Sequence, residues 1–199
     1  MYDYRKMTPA QRAEIVEHRR RRHQPLHSPP HWDLGISDTY LVSAACFEHA
    51  QIIGKQPARM SDCEDCVLAA CRQAATETYA WCVLPNHYHL LVRTDDLKRL
   101  TKTLGQFHGR SSYEWNQEDG ARGRKVWHRA FDRAIRSDRH FWATVNYIHH
   151  NPVHHGYVDK WQDWIWSSAK EFLELVGRDE ATRIWGEYPL LDYGKKWDV

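Results

Sequence analysis

Two short apolar stretches in the middle of the chain, residues 79–84 and 87–92, are separated only by a Pro-Asn pair. Apolar runs of this length on either side of a turn pair are typical of two adjacent β-strands. Side chains alternate between the faces of a strand, so His87 and His89 lie on one face, ~7 Å apart, and Tyr88 lies on the other. The pattern predicts a hairpin with a core on one face and two imidazoles on the opposite face.

The pattern on either side of this hairpin alternates between strand and helix. Residues 39–47 and 126–135 form strand patterns, and residues 60–75 carry apolar side chains at helical spacing. A second helix is marked by an apolar stripe: Leu97, Leu100, Leu104 and Phe107. The order β-α-β-β-α-β predicts an α+β fold, a ferredoxin-like antiparallel sheet with its helices on one face. The other face is left for a substrate.

A further helix is predicted to begin at Asp138, which is a suitable N-cap residue. Pro152 disfavours helical geometry at the residue before it, so this helix is expected to end at Asn151. Tyr147 lies four residues before Asn151 and shares a helical face with it. This C-terminal helix therefore carries a phenol and a carboxamide side by side.

The 199 residues divide into three parts. Residues 1–36 form a basic N-terminal extension with a predicted helix start at Thr8, and residues 37–170 hold the predicted sheet and the late helix. Residues 171–199 form a C-terminal extension, predicted as a short helix over 171–176 and then a polar tail. A hydrophobic content of 42% with 13% aromatic residues excludes global disorder.

The cysteines and the lack of a long apolar run indicate a reduced, cytoplasmic protein without a membrane partner. There are five cysteines, an odd number, no signal peptide precedes them, and no stretch approaches the ~20 apolar residues of a transmembrane helix. Cys63, Val67 and Cys71 fall on one stripe of the predicted helix over 60–75. These cysteines are expected to pack as small hydrophobic residues.

Positive charge is concentrated around the histidine hairpin. Residues 93–139 contain twelve Lys and Arg against seven Asp and Glu, whereas residues 170–199 contain five against seven. A local positive field suits a phosphate backbone, although such a modest excess is also found on ordinary solvated surfaces. The candidate DNA contacts are Arg93, Lys98, Arg99, Lys102, Arg110, Arg122, Arg124 and Lys125.

Two imidazoles and one carboxamide oxygen form a mixed donor set for a hard cation. His87, His89 and Asn151 would hold Mg²⁺ or Mn²⁺ and leave positions open for a phosphate oxygen. Tyr147 is the candidate nucleophile, and a phenol with an ordinary pKa near ~10 needs activation for this role. Attack on a DNA phosphodiester would form a phosphotyrosine bond, which a DNA hydroxyl can later reverse.

More ordinary interpretations of these residues stay open. A His-x-His pair is often a surface or core pair, an Asn before Pro is often a helix stop, and a lone Tyr often packs. Four more histidines lie close together in the sequence: His149, His150, His154 and His155. Neighbouring side chains on a helix diverge, so these four are expected to be polar surface or DNA-facing groups. The alternative is a zinc-dependent hydrolase built on the histidine clusters.

Three segments resemble the REP-associated tyrosine transposases, relatives of the small single-strand insertion-sequence transposases. Residues 79–92 resemble their His-hydrophobic-His segment, residues 147–156 their nucleophile helix, and residues 164–168 their C-terminal aromatic-Ser-Ser segment. The resemblance covers roughly residues 37–170, and its specificity comes from three segments in this order and spacing. Tyr88 stands where the family has a more apolar residue, and both extensions lie outside the resemblance.

The resemblance implies a ferredoxin-like HUH domain that uses a divalent metal to cleave and join single-stranded DNA at palindromic hairpins, through a 5′-phosphotyrosine intermediate. By position, His87 and His89 match the histidine ligands and Tyr147 matches the nucleophile. Asn151 matches the third ligand, which is often Gln in the insertion-sequence relatives. Whether the protein is a monomer or a homodimer stays open. Whether the tyrosine acts in its own subunit or in a partner's also stays open. The main alternative is a DNA-hairpin-binding protein on the same fold that does not cleave.

Overall fold

The computed structural model describes Thr8 and residues 38–75, 77–191 and 193–194. The chain divides into two compact units, Met1–Leu34 and Gly35–Val199, and every described residue except Thr8 belongs to the second. Apart from Thr8, the predicted N-terminal helix lies outside the described residues.

The second unit contains four strands and five α-helices in its described part. They are β1 (Thr39–Ala45), α1 (Pro57–Ala74), β2 (Glu77–Val83), β3 (His87–Arg93), α2 (Leu97–Glu118), β4 (Phe131–Ala134), α3 (Asp138–His154), α4 (Ala169–Val176) and α5 (Arg178–Glu187). None of the helices in this part of the chain combines the length and the apolar character that a bilayer crossing needs.

The four strands form one sheet in the order β2-β3-β1-β4, and each neighbouring pair is antiparallel. With the order β-α-β-β-α-β along the chain, this is the ferredoxin-like fold, so the predicted fold class is confirmed. The fourth strand is shorter than predicted, because only residues 131–134 pair with β1. Val126 and Trp127 instead bury their side chains in the core. The backbone of Trp127 pairs with that of Cys46 in a single antiparallel bridge outside the strands.

Helices α1 and α2 cover one face of the sheet and form the main core with it. Tyr88 and Leu90 are fully buried on this face, as the alternation in β3 predicts, and they pack with Leu100 and Leu104 of α2. The predicted packing of the cysteines is also confirmed, because Cys63 and its stripe neighbours are buried in the same cluster. The histidines of β3 therefore lie on the face that these two helices leave open.

An ion-pair network links the start of α1 to the end of α2. Arg59 is only 2% exposed, and its guanidinium donates to both Glu118 and Asp119. Lys55 and Arg124 also bind the Asp119 carboxylate, at 2.9 Å and 2.7 Å. Hydrogen bonds from Arg59 are the main reason that the pKa of Asp119 lies well below its usual range. The network fixes the loop that follows α2.

His108 is a half-buried base beside the core between α2 and the sheet. Its Nε2 lies 3.0 Å from the Tyr88 hydroxyl, and its ring stacks on Trp127 at 4.3 Å. Burial lowers the pKa of His108 to about 4. At pH values between the ordinary pKa of histidine and about 4, His108 binds a proton in the unfolded chain but not in the folded chain. The contribution of His108 to stability is therefore complete above pH ~6.5 and is lost as the pH falls.

We expect His108→Gln to flatten the fall in stability between pH 6.5 and 4. Glutamine can keep a hydrogen bond to Tyr88 but does not titrate, which removes a slope of up to ~1 kcal/mol per pH unit. Urea unfolding at several pH values measures this slope, with the exposed His154→Gln as the matched control. Identical slopes in the parent protein and in His108→Gln would contradict the expectation.

The end of α3 differs from the prediction. The helix continues through Pro152 to His154, so the predicted end at Asn151 is wrong. The last turn survives because the Asn151 carbonyl accepts from the His155 amide, and the Pro152 carbonyl accepts from the Tyr157 amide. Proline in the final turn therefore removes one donor without interrupting the helix.

Two further details of the C-terminal third correct the sequence interpretation. The N-cap of α3 is Ser137 rather than Asp138, because its hydroxyl accepts from the His140 amide. The predicted polar tail after residue 176 contains the helix α5, which buries Ala181 and Ile184. These two residues are three apart, a helical spacing that was present in the sequence.

Candidate active site

The open face of the sheet carries the histidine pair of β3. His87 and His89 are each 2% exposed, and their ring centroids lie 4.9 Å apart in an edge-to-face arrangement. Helix α3 packs on this face, with Phe141 against Tyr79 of β2 at a ring distance of 5.0 Å. The sheet therefore supplies a rigid base for the histidines, and α3 brings its own side chains over them.

Both histidine rings are oriented through their Nδ1 atoms. His87 Nδ1 lies 2.7 Å from Asn86 Oδ1, and His89 Nδ1 lies 2.6 Å from the Ser43 hydroxyl. Asn86 has a defined orientation because its Nδ2 donates to the His49 carbonyl at 3.1 Å, which leaves Oδ1 to accept from His87. Each histidine thus directs Nε2 away from the strand and toward α3.

The predicted partners on α3 meet these two Nε2 atoms. Asn151 Oδ1 lies 3.0 Å from His87 Nε2, and the Tyr147 hydroxyl lies 3.3 Å from His89 Nε2. Tyr147 and Asn151 are 5% and 1% exposed. The structure therefore brings together all four residues that the sequence placed at the centre of the site.

Residues 190–191 and 193–194 lie against the outer side of Tyr147. The Tyr193 ring meets the Tyr147 ring edge-on at 5.7 Å, and the Tyr193 hydroxyl pairs with Thr144 on the same helix. Gly194 has a φ of +79°, and a Cβ there would come within 2.2 Å of Tyr147 Cε2. Only glycine can pass this close to the tyrosine ring in this backbone conformation. A cavity of about 240 Å³ separates this segment from Asn151 and its helical neighbours.

A larger cleft of about 600 Å³ opens beside the histidines, and we call it the sheet-face cleft. One wall is the end of β1 and the turn after it, residues 43–49. The other wall consists of His128, Arg129, Phe131 and Arg133, and His87 and His89 border the cleft between the two walls. Neither Phe131 nor the turn after β1 carried a sequence pattern that predicted a place at the site.

Four of the predicted DNA contacts lie on the side of the sheet away from the site. They are exposed residues of α2: Lys98, Arg99, Lys102 and Arg110. Arg93 ends β3, six residues from His87, and pairs with Glu77 at 3.4 Å. A role for these residues in DNA binding stays a prediction, and for the four residues of α2 it would concern a surface separate from the histidine pair.

The remaining predicted contacts lie in the loop after α2. Arg124 is held by Asp119 and by the Asn116 side chain in the ion-pair network, and Arg122 is exposed. Lys125 reaches the cleft, because its ammonium group lies 4.4 Å from the centroid of the Phe47 ring. These three assignments likewise stay predictions.

The second histidine cluster is dispersed by the fold. His149 is 3% exposed and bonded to the Ser168 hydroxyl at 2.9 Å, so its prediction as a surface group is wrong. His150 packs against Trp185, and the His155 ring lies 5.2 Å from the His87 ring. Over residues 38–75 and 77–191, no three His, Cys, Asp or Glu side chains are grouped as a metal site would require.

The fold and the site define a ferredoxin-like domain in which a histidine pair on the sheet meets a tyrosine and an asparagine from a later helix. The chain belongs to the IS200-like transposase family, whose model matches residues 46–151. The resemblance to the REP-associated tyrosine transposases is confirmed by two curated relatives.

Two curated relatives carry that name. A Haemophilus influenzae protein classed with the REP-associated tyrosine transposases is 33% identical over 136 residues, which cover 60% of this chain and 72% of that protein. The REP-associated tyrosine transposase of Escherichia coli K12 is 33% identical over 103 residues, or 49% of this chain and 56% of its own. A solved REP-associated tyrosine transposase bound to a REP hairpin aligns with a TM-score of 0.49 at 23% identity, covering 67% of this chain and 78% of its own.

Proposed function

We propose that this protein is a metal-dependent single-stranded DNA endonuclease and strand transferase that acts at REP-like palindromic hairpins through a 5′-phosphotyrosine intermediate. The observation that carries the proposal is the meeting of Tyr147 and Asn151 with His87 and His89 on one sheet face. The family membership and the names of the relatives support the substrate class.

The contact between His87 and Asn151 suits a cation, because it brings two acceptors together. Because His87 Nδ1 donates to Asn86, the Nε2 of a neutral imidazole is an acceptor, and it faces a second acceptor, Asn151 Oδ1, at 3.0 Å. The donor set of His87, His89 and Asn151 therefore fits Mg²⁺ or Mn²⁺. Such an ion would polarise a phosphoryl oxygen of the substrate.

In the proposed reaction, Tyr147 attacks the phosphorus atom of a DNA backbone at this site. Its phenol oxygen forms the new bond to phosphorus and gives its proton to a base in the solvent. The bond from phosphorus to the 3′-oxygen of the preceding nucleotide breaks, and that oxygen leaves as a 3′-hydroxyl after taking up a proton. The phosphodiester energy is kept in the Tyr147 ester, so a DNA 3′-hydroxyl can reverse the reaction without a nucleotide cofactor.

A covalent-adduct assay tests this function. The substrate is a pool of oligonucleotides with one palindromic stem and randomised single-stranded flanks. With a 3′-end label and Mn²⁺, the protein should carry the label on a denaturing gel. With a 5′-end label, the same reaction should release a shortened strand that ends in a 3′-hydroxyl.

The controls separate cleavage from binding. EDTA should remove the adduct, and a pool with a disrupted stem should form less of it. Stem-dependent binding without any adduct in Mg²⁺ or Mn²⁺ would reject the proposal in favour of a hairpin-binding protein that does not cleave.

A further inference from the structure

We propose that the sheet-face cleft binds the unpaired DNA strand next to the cleavage point, with bases stacked on Phe131 and Phe47 and phosphates held by Arg129 and Arg133. This inference rests on the proposed function, because it assigns to the same site the surface that leads the strand to the histidine pair.

The strand register places the cleft residues in a continuous row. Ser43 of β1 is paired with His89 of β3 on one side and with Phe131 of β4 on the other. Directly paired residues share a sheet face, so Phe131 lies on the same face as His89, two strands or ~10 Å away. Arg133 is two residues further along β4 and shares that face. A strand entering over β4 would therefore reach the histidines within one or two nucleotides.

Of the two aromatic rings in the cleft, Phe131 is exposed as a stacking platform needs to be, and Phe47 is half-buried. The Phe131 side chain is 49% exposed although it belongs to a strand of the sheet. Phe47 lies on the wall opposite Phe131, and its ring stacks against the His128 ring at a centroid distance of 6.4 Å. Bases of single strands stack on such rings without regard to sequence, whereas the bases of a duplex are already stacked. The chemistry of the cleft thus favours an unpaired strand over the hairpin stem.

Cations accompany each of these rings. The Arg133 guanidinium lies 5.6 Å from the Phe131 ring centroid, and the Lys125 ammonium lies 4.4 Å from the Phe47 centroid. Arg129 lines the same wall, and Glu48 is the one acidic side chain among the described residues that line the cleft. The positive balance suits a phosphate backbone that runs past two aromatic rings.

The test is the affinity of the full chain for a fluorescein-labelled dT₁₂ strand, measured by fluorescence anisotropy in EDTA so that no cleavage follows. We expect Phe131→Ala to weaken binding about 10-fold and Phe131→Trp to preserve it, since one base–aromatic stack contributes on this scale. Arg129→Ala and Arg133→Ala should each lower the slope of log affinity against log salt by about 0.7. An unlabelled dT₁₂·dA₁₂ duplex should compete poorly.

A matched control lies on the opposite side of the sheet. Tyr113 is 68% exposed on α2, so Tyr113→Ala should leave dT₁₂ binding unchanged. Thermal melting checks that every variant is folded. Parent-like dT₁₂ affinity in folded Phe131→Ala, or equal losses in Tyr113→Ala, would overturn the assignment.

Failure of this inference and failure of the proposed function give different results. If the parent protein forms the covalent adduct while Phe131→Ala binds dT₁₂ normally, only the cleft assignment falls. If the cleft variants lose dT₁₂ binding but the parent protein forms no adduct, the cleft assignment stands and the cleavage proposal falls.

Discussion

Tyr147→Phe is expected to lower formation of the protein–DNA adduct by ~10³-fold or more, because it removes the attacking oxygen itself. The substitution is conservative in every other respect. The Tyr147 ring packs against Tyr193 and His89, and phenylalanine keeps both contacts while losing only the hydroxyl 3.3 Å from His89 Nε2. The measurement is the rate of labelled adduct formation in Mn²⁺.

Tyr157→Phe is the matched control for this prediction. Tyr157 follows the same helix, its hydroxyl accepts a hydrogen bond from Gln51, and its ring stacks on Trp164. Loss of the Tyr157 hydroxyl should leave the rate of adduct formation within about twofold of the parent rate, as expected for a residue outside the reaction. An adduct that persists at the parent rate in Tyr147→Phe would show that another residue is the nucleophile.

His87→Ala and His89→Ala are each expected to weaken Mn²⁺ binding by ~100-fold or more. Each removes one imidazole from a set of three protein donors, and even residues that only orient a ligand contribute 10- to ~100-fold in other metal sites. Mn²⁺ affinity is measured by isothermal titration calorimetry or by the electron paramagnetic resonance of free Mn²⁺, without DNA. The readout is therefore independent of catalysis.

Two additional variants are expected to have smaller effects on Mn²⁺ affinity. Ser43→Ala leaves His89 in place but removes its Nδ1 partner at 2.6 Å, so it should weaken Mn²⁺ binding by an intermediate factor, ~10-fold. His128→Ala borders the same cleft without contacting the donor set and should leave the affinity unchanged. Circular dichroism establishes that the variants are folded. Unchanged Mn²⁺ affinity in folded His87→Ala and His89→Ala would exclude the metal site.

The local patterns that predicted the fold worked where one strong periodicity dominated. The hairpin of β2 and β3 was located almost to the residue, because period-two alternation around a Pro-Asn turn has few other solutions. The late helix was located correctly, but its end was not, since the effect of Pro152 depends on acceptors and donors from residues 155–157. The helix α5 was missed because its few apolar positions gain a partner only when they pack in the folded protein.

The histidine assignments show the same limit at the site. His149 and His155 are indistinguishable from surface histidines in the sequence, yet one is buried against Ser168 and the other faces His87. The orienting role of Ser43 was also invisible, because it depends on the pairing of β1 with β3. Asn86 could have been noticed, since it directly precedes His87 in the turn.

By itself the sequence determined the order of the strands and helices as far as α4, the shared face of His87 and His89, and the shared face of Tyr147 and Asn151. These follow from backbone periodicity, which is a property of neighbouring residues. The tertiary structure alone decided that the two faces meet, that Ser43 and Asn86 orient the imidazoles, and that Phe131 lies in the same row as His89. Such relations join residues far apart in the chain, and strand register and helix docking fix them only when the whole sheet has formed.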